Sequence, residues 1–119
     1  MELNTYAAEA QKTAVFTRND YPLVALGEEV GEVMGKIAKY GRKNNMSVEE
    51  VINSLHSVEI AEIAELRKAV KKELGDVLWQ WAVLCNVLGM SPNRIAEENL
   101  SKLADRQNRD VLNGEGDNR

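Results

Sequence analysis

Two acidic clusters carry the residues most able to do chemistry in this chain. The first is Glu28-Glu29-Val30-Gly31-Glu32 and the second Glu73-Leu74-Gly75-Asp76. Each holds two carboxylates three residues apart, Glu29 with Glu32 and Glu73 with Asp76, inside a segment whose other residues are largely apolar. Residues three apart share one side of a helix, so each pair aims two carboxylates in nearly one direction. Charge beside an apolar stripe is costly without a partner. If the two helices pack antiparallel, all four carboxylates converge at one level of a groove. Like charges about 4 Å apart cost about 1 kcal/mol per pair in bulk water and several-fold more near a protein surface. Such a cluster is stable only if some groups protonate or a cation sits among them. An all-oxygen ligand set without a second His or Cys favours a hard ion, Mg²⁺ with Mn²⁺ as a substitute, over zinc. Magnesium retains waters and works together with phosphates of a substrate. The competing reading is a pair of solvated helix faces, with Gly31 and Gly75 serving only tight packing.

The elements that must position these groups are helices. Only two prolines and one Phe, with many Ala, Leu, Glu and Lys, lean toward an all-α chain. A length of 119 residues supports one domain with a modest core. Asn4 or Thr5 is expected to cap a first helix running to about Arg18. Asn19-Asp20-Tyr21-Pro22 reads as a turn into a second helix from about Leu23 to Gly41, with Leu23, Leu26, Val30, Met34, Ile37 and Ala38 as its core stripe. Ser47 and Glu50 form a capping-box pattern for a short helix to about Ser54, and His56-Ser57-Val58 is a candidate break before a long helix from about Ile60 to Leu88. Gly89, Ser91 and Pro92 mark its stop and the start of a last helix to about Arg106. Residues 1–112 are thus expected to form one helical domain, four- to five-helix and oligomeric, and residues 113–119 a polar tail, flexible unless it docks.

The long helix is apolar on two sides, one through Leu66, Val70, Leu74, Val77, Trp81, Leu84 and Leu88, the other through Trp79, Val83 and Val87. A helix apolar all round is covered all round, which predicts a homo-oligomer unless another part of the chain covers Trp79. A net charge of −4 without a basic run argues against nucleic acid as a partner. The apolar run from Val77 to Leu88 is too short to span a bilayer, so no membrane is implied. No signal peptide is recognisable, and the lone Cys85 reads as a small core residue. These features predict a cytoplasmic protein. His56, the only histidine, is expected in a loop without a role.

Glu28-Glu29-Val30-Gly31-Glu32 followed by Lys72-Glu73-Leu74-Gly75-Asp76-Val77-Leu78-Trp79 resembles the MazG-like all-α nucleoside triphosphate pyrophosphohydrolases. The run Asn99-Leu100-Ser101-Lys102-Leu103-Ala104-Asp105-Arg106 looks like that family's third element, and the ending Gly116-Asp117-Asn118-Arg119 is similar to small phage-type and bacterial members. The resemblance covers most of the chain from Tyr21 onward. It implies an all-α bundle assembling as a homodimer or homotetramer. It implies Mg²⁺-dependent cleavage of a nucleoside triphosphate substrate between the α and β phosphates, giving a nucleoside monophosphate and pyrophosphate. Glu29, Glu32, Glu73 and Asp76 match the metal ligands. Asn99 and Lys102 match triphosphate contacts, with Arg106 and Arg109 as further candidates. Phosphoryl chemistry asks for such groups, because it needs charge neutralisation and an aligned water more than covalent help. Glu28 is either a solvated surface glutamate or a base that orients the attacking water.

One departure from the family pattern stands out. Forty residues separate Glu32 from Glu73, more than the usual spacing, and the excess lies in about residues 44–65. Glu59, Glu62 and Glu65 also sit three apart there, but Arg67 and Lys68 beside them mark a solvated face. The inserted segment is a candidate lid or oligomer contact. Phe16, Tyr6, Tyr21 and Trp79 are the aromatics available to stack on a base. Rival readings are a phosphoribosyl-ATP or dCTP/dUTP pyrophosphatase, a non-catalytic module binding a partner through Trp79 and Val83, and a di-iron bundle, which lacks the Glu-x-x-His pairs it needs.

Overall fold

A computed structural model describes residues 1–117 as five helices: α1 (Leu3–Gln11), α2 (Tyr21–Lys43), α3 (Val48–Ser57), α4 (Ala61–Leu88) and α5 (Pro92–Asn108). There is no strand among the described residues. Helix α4 is the axle. Its 28 residues span about 42 Å at 1.5 Å per residue, and α1, α2 and α3 all pack on it. Val33, Ile37 and Tyr40 of α2 pack on the core around Leu66 and Val70, while Glu29 meets Glu73 and Asp76. Positions rise along α2 as they fall along α4, so the two helices run antiparallel.

Helix α1 ends sooner than the sequence suggests. It stops at Gln11, and residues 12–20 form an irregular connection. A β-branched run, Thr13, Val15 and Thr17, follows, and the Thr13 hydroxyl donates to the Ala10 carbonyl at 2.7 Å, closing the last turn. Asn4 does not cap α1 either. Its side-chain oxygen accepts from the Asn93 amide at 2.9 Å and from the Ser91 hydroxyl at 3.1 Å, tying α1 to the start of α5.

The segment read as a candidate lid or oligomer contact folds as helix α3 and packs on the core. Ser47 caps α3 with the full capping box, its hydroxyl accepting from the Glu50 amide and the Glu50 carboxylate accepting from the Ser47 amide. Val51 is fully buried against Leu66 and Val70. The Arg67 guanidinium donates to the carbonyls of Leu55 and Val58, closing the C-terminal end of α3. Gly41 permits this turn, since a Cβ there would lie 2.8 Å from the Met46 carbonyl oxygen. Gly89 stops α4 in the left-handed region at φ 67°, and Ser91 caps α5.

Two expected features are corrected. The α2 stripe is rotated: Ala25 is buried, and Val33 packs on the core with Ile37, whereas Leu23, Val30 and Met34 are exposed. On α4 the side through Trp79 and Val83 is covered within the chain. Val83 is fully buried, the Trp79 indole donates to Thr13 Oγ1 at 2.8 Å, and Asn86 donates to the Ala7 carbonyl and to Gln11. Val83 is thus closed off within the chain, and Trp79 is held by the connection after α1. Leu74 and Leu78 on α4 stay exposed instead.

Helix α5 packs mainly on α1. The tail folds back on it, with Asp117 Oδ1 3.3 Å from the Arg106 guanidinium and 3.4 Å from Lys102 Nζ. Asn118 and Arg119, which complete the ending compared with the family, lie outside the described residues.

Candidate metal centre and adjoining cleft

The antiparallel pairing of α2 and α4 brings Glu29, Glu73 and Asp76 together. One carboxylate oxygen from each lies within 4.8 Å of the others. Glu29 and Glu73 are half-buried and Asp76 is exposed. Glu32 stands one turn along α2, outside this group, and Glu28 is exposed on the same helix. Both act on Glu29 electrostatically. Partial burial raises the Glu29 carboxyl above the ordinary carboxylate range, and the negative charges of Asp76, Glu73, Glu32 and Glu28 raise it further. A carboxylate held uncomfortably by its neighbours is what a divalent cation relieves. The donors are all oxygens, they are close enough to share one ion, and one side is open to solvent. This donor set fits a hard divalent ion such as Mg²⁺. One cation of the chain already leans on the group: Lys36 Nζ lies 3.8 Å from Glu73.

One turn further along α4, a cleft of about 600 Å³ opens beside Trp79. The irregular connection after α1 forms its wall through Val15, Phe16 and Arg18, and α2 closes it with Tyr21 and Val24. The Phe16 and Tyr21 rings stack, with centroids 5.5 Å apart and planes inclined by 28°. Three of the four aromatics expected to serve a base thus meet in one apolar cleft; Tyr6 is not among its lining residues. Arg18 and Asp20 pair with each other at its rim. The early end of α1 makes this cleft, since a helix continuing to Arg18 would have no such wall.

The residues of α5 are arranged differently. Asn99 and Lys102 are exposed, Arg106 is buried beneath the tail, and Arg109 pairs with Asp105 at 2.9 Å. Their helix packs mainly on α1, so within one chain the cation beside the carboxylates is Lys36 rather than Lys102. Glu59, Glu62 and Glu65 are exposed and lie outside the carboxylate group; Glu59 pairs with Arg67 at 3.6 Å. His56 is exposed near the end of α3 rather than in a loop, and Cys85 is buried in the core as expected. Lys36, Lys68 and Lys72 line a smaller depression around Glu73; from the sequence Lys36 carries no role, Lys68 marks a solvated face, and Lys72 belongs only to the family motif. Their signal was spacing: Lys36 follows Glu32 by four residues, and Lys68 and Lys72 precede Asp76 by eight and four.

The described helices include none long and apolar enough to cross a membrane. Over its full length the chain is 29% identical to the Gene 37 protein of Mycobacterium phage L5, itself covered completely. No solved structure matches. Residues 20–110, which contain both acidic clusters and all of α2 to α5, match the model of the MazG nucleotide pyrophosphohydrolase domain. The chain belongs to the MazG nucleotide pyrophosphohydrolase family.

Proposed function

We propose that this protein is a Mg²⁺-dependent pyrophosphohydrolase of the cytoplasm. It cleaves ribo- or deoxyribonucleoside triphosphates between the α and β phosphates to the monophosphate and pyrophosphate. The observation that carries this reading is the juxtaposition of the Glu29, Glu73 and Asp76 carboxylates with the aromatic cleft one turn away. Glu29, Glu73 and Asp76 would hold the ion, with Glu32, one turn along α2, as the fourth proposed ligand. Mg²⁺ supplies charge neutralisation at the phosphates and acidifies water when bound. The chain's own groups do the rest. Phe16, Tyr21 and Trp79 offer faces for the base, and stacking of this kind is worth about 1–3 kcal/mol per base. Glu28, next to Glu29 and exposed, accepts a proton from the attacking water. The water oxygen bonds to the α phosphorus as the bond from that phosphorus to the bridging oxygen breaks, so the monophosphate carries the water oxygen and pyrophosphate leaves with the bridging oxygen.

The protein acts in this proposal as a homodimer or homotetramer. Leu23, Val30 and Met34 on α2 and Leu74 and Leu78 on α4 are exposed on the very helices that carry the carboxylates. The radius of gyration is 17.5 Å, against about 13–14 Å for a compact chain of this length. A second copy covers those side chains, and its α5 brings Asn99 and Lys102 to the phosphates, with Arg106 and Arg109 behind them. Against the rival of a partner-binding module working through Trp79 and Val83 stands the full burial of Val83, while Trp79, held by Thr13, faces the cleft.

The deciding assay incubates the protein with Mg²⁺ and a panel of nucleotides, including dCTP, dUTP and phosphoribosyl-ATP, and looks for monophosphate plus pyrophosphate. Product from at least one nucleotide is expected, with Asp76→Asn abolishing both turnover and the thermal shift caused by Mg²⁺. No product from any nucleotide, together with an unchanged Mg²⁺ shift in Asp76→Asn, overturns the reading.

A further inference from the structure

The groove between α2 and α4 is chemically polarised along its length. At one end stands the aromatic cleft with Trp79; in the middle are the carboxylates; at the other end lies a depression of about 260 Å³ lined by Lys36, Lys68, Lys72, Glu65, Ala69 and Glu73. On α4 the order Trp79, Asp76, Lys72, Lys68 steps by three or four residues, so these side chains follow one face. From Trp79 to Lys68 the helix rises about 16 Å. On α2 the order Tyr21, Val24, Glu29, Glu32, Lys36 passes through the same zones in the opposite chain direction.

The lysine end is unusual in charge. Lys68 and Lys72 are like charges at i and i+4, an arrangement that destabilises a helix. Neither has an ion-pair partner among the described residues. Glu73 is shared between Lys36 and the carboxylate group, which leaves Glu65 as the other acid of the depression. Lys36 is answered by Glu73, and Lys68 and Lys72 line the same depression with Glu65 as its remaining carboxylate. An oxyanion with several charges satisfies such a set, and the space suits an inorganic pyrophosphate rather than a whole nucleotide.

We infer that Lys36, Lys68 and Lys72 form the binding site of the two terminal phosphates, and therefore of the pyrophosphate product. This fixes the direction in which a nucleoside triphosphate lies in the groove: base at Trp79, scissile anhydride at the carboxylates, β and γ phosphates on the lysines. The inference rests on the pyrophosphohydrolase reading and deepens it. Lys36 has a second task, since its contact with Glu73 couples the product site to the carboxylates. Lys68 and Lys72 bind phosphate oxygens as point charges without touching the carboxylate group.

The test titrates inorganic pyrophosphate into the full chain, first with chelator and then with Mg²⁺, for wild type, Lys68→Gln/Lys72→Gln and the charge-preserving Lys68→Arg/Lys72→Arg. The monophosphate of the best substrate serves as the second ligand, and circular dichroism reports folding. The Gln variant is expected to lose about tenfold or more in pyrophosphate affinity, and the Arg variant to keep it. Monophosphate affinity stays within about twofold in both. KM for the triphosphate rises in the Gln variant. Unchanged pyrophosphate affinity in a folded Gln variant overturns the inference, as does equal loss for both ligands or no pyrophosphate binding by wild type. If wild type hydrolyses nucleotides while pyrophosphate binding ignores the lysines, only this assignment fails. If wild type hydrolyses no nucleotide, the pyrophosphohydrolase reading itself fails.

Discussion

Glu29 concentrates the electrostatic problem that the site must solve. Its carboxyl is raised first by burial and then by Asp76, Glu73, Glu32 and Glu28. A raised acid binds more protons folded than unfolded. Without metal, stability therefore falls as pH climbs from glutamate's ordinary 4.5 through the raised folded value. Glu29→Gln removes that penalty. At neutral pH without metal, the variant is expected to melt above wild type. The gap closes below about pH 4, where both forms are uncharged at this position. Mg²⁺ raises the Tm of wild type only. Melting curves across pH, with and without Mg²⁺, read all three effects. For Glu28 the expectation concerns rate: Glu28→Gln keeps the Mg²⁺ thermal shift and lowers pyrophosphate release by about 10²–10⁴-fold, as loss of a general base does. Unchanged turnover returns Glu28 to the role of a solvated surface residue.

Among the elements, α3 shows how an inserted segment supports a site it does not touch. Ser47 and Glu50 fix its start, Arg67 closes its end, and Val51 anchors it to the part of α4 below the carboxylates. Ser47→Ala removes an N-cap and is expected to cost about 1 kcal/mol, seen as a Tm lower by a few degrees. KM and kcat at a permissive temperature stay near wild type, because α3 carries no site residue. A change in KM instead would mark the segment as a lid. The connection after α1 has the opposite character. It contributes little core, yet Phe16 and Tyr21 stack there and Thr13 holds the Trp79 indole. Losing helix at Thr13 is what gives the molecule its cleft.

At the scale of the molecule, an open shape and exposed apolar side chains on α2 and α4 belong together. The principal extents are 44 × 43 × 26 Å, with α5 anchored chiefly on α1. Met34 and Leu78 are 66% and 37% exposed, an unfavourable state that a second copy would end. Wild type is expected to run in light scattering at two or four times the 13.3 kDa of one chain. Met34→Glu/Leu78→Glu is expected to run as a monomer with weakened triphosphate binding, because α5 of a second copy no longer reaches the groove. A monomeric wild type, fully active, would remove both the assembly and the shared site.

The chain's own order of residues determined the helices and the carboxylate pairs. Pro22, the Ser47–Glu50 box, Gly89 and Ser91–Pro92 are local signals, and each acts within one turn of where it stands. The three-residue spacing of Glu29/Glu32 and Glu73/Asp76 needed only the helical period to be read as two pairs. What lay beyond local reading was rotation. Helix α4 is apolar on two sides, and only packing selects which side meets α1 and which is left open. That choice buried Val83, exposed Leu74, and turned the α2 stripe so that Val33 took the inner position expected for Val30 and Met34. It also decided that Glu29 rather than Glu32 joins Glu73 and Asp76, and that Lys36 rather than Lys102 stands beside them. The period of a helix is written in its sequence, whereas the angle at which it meets its neighbours is a property of the whole packed chain.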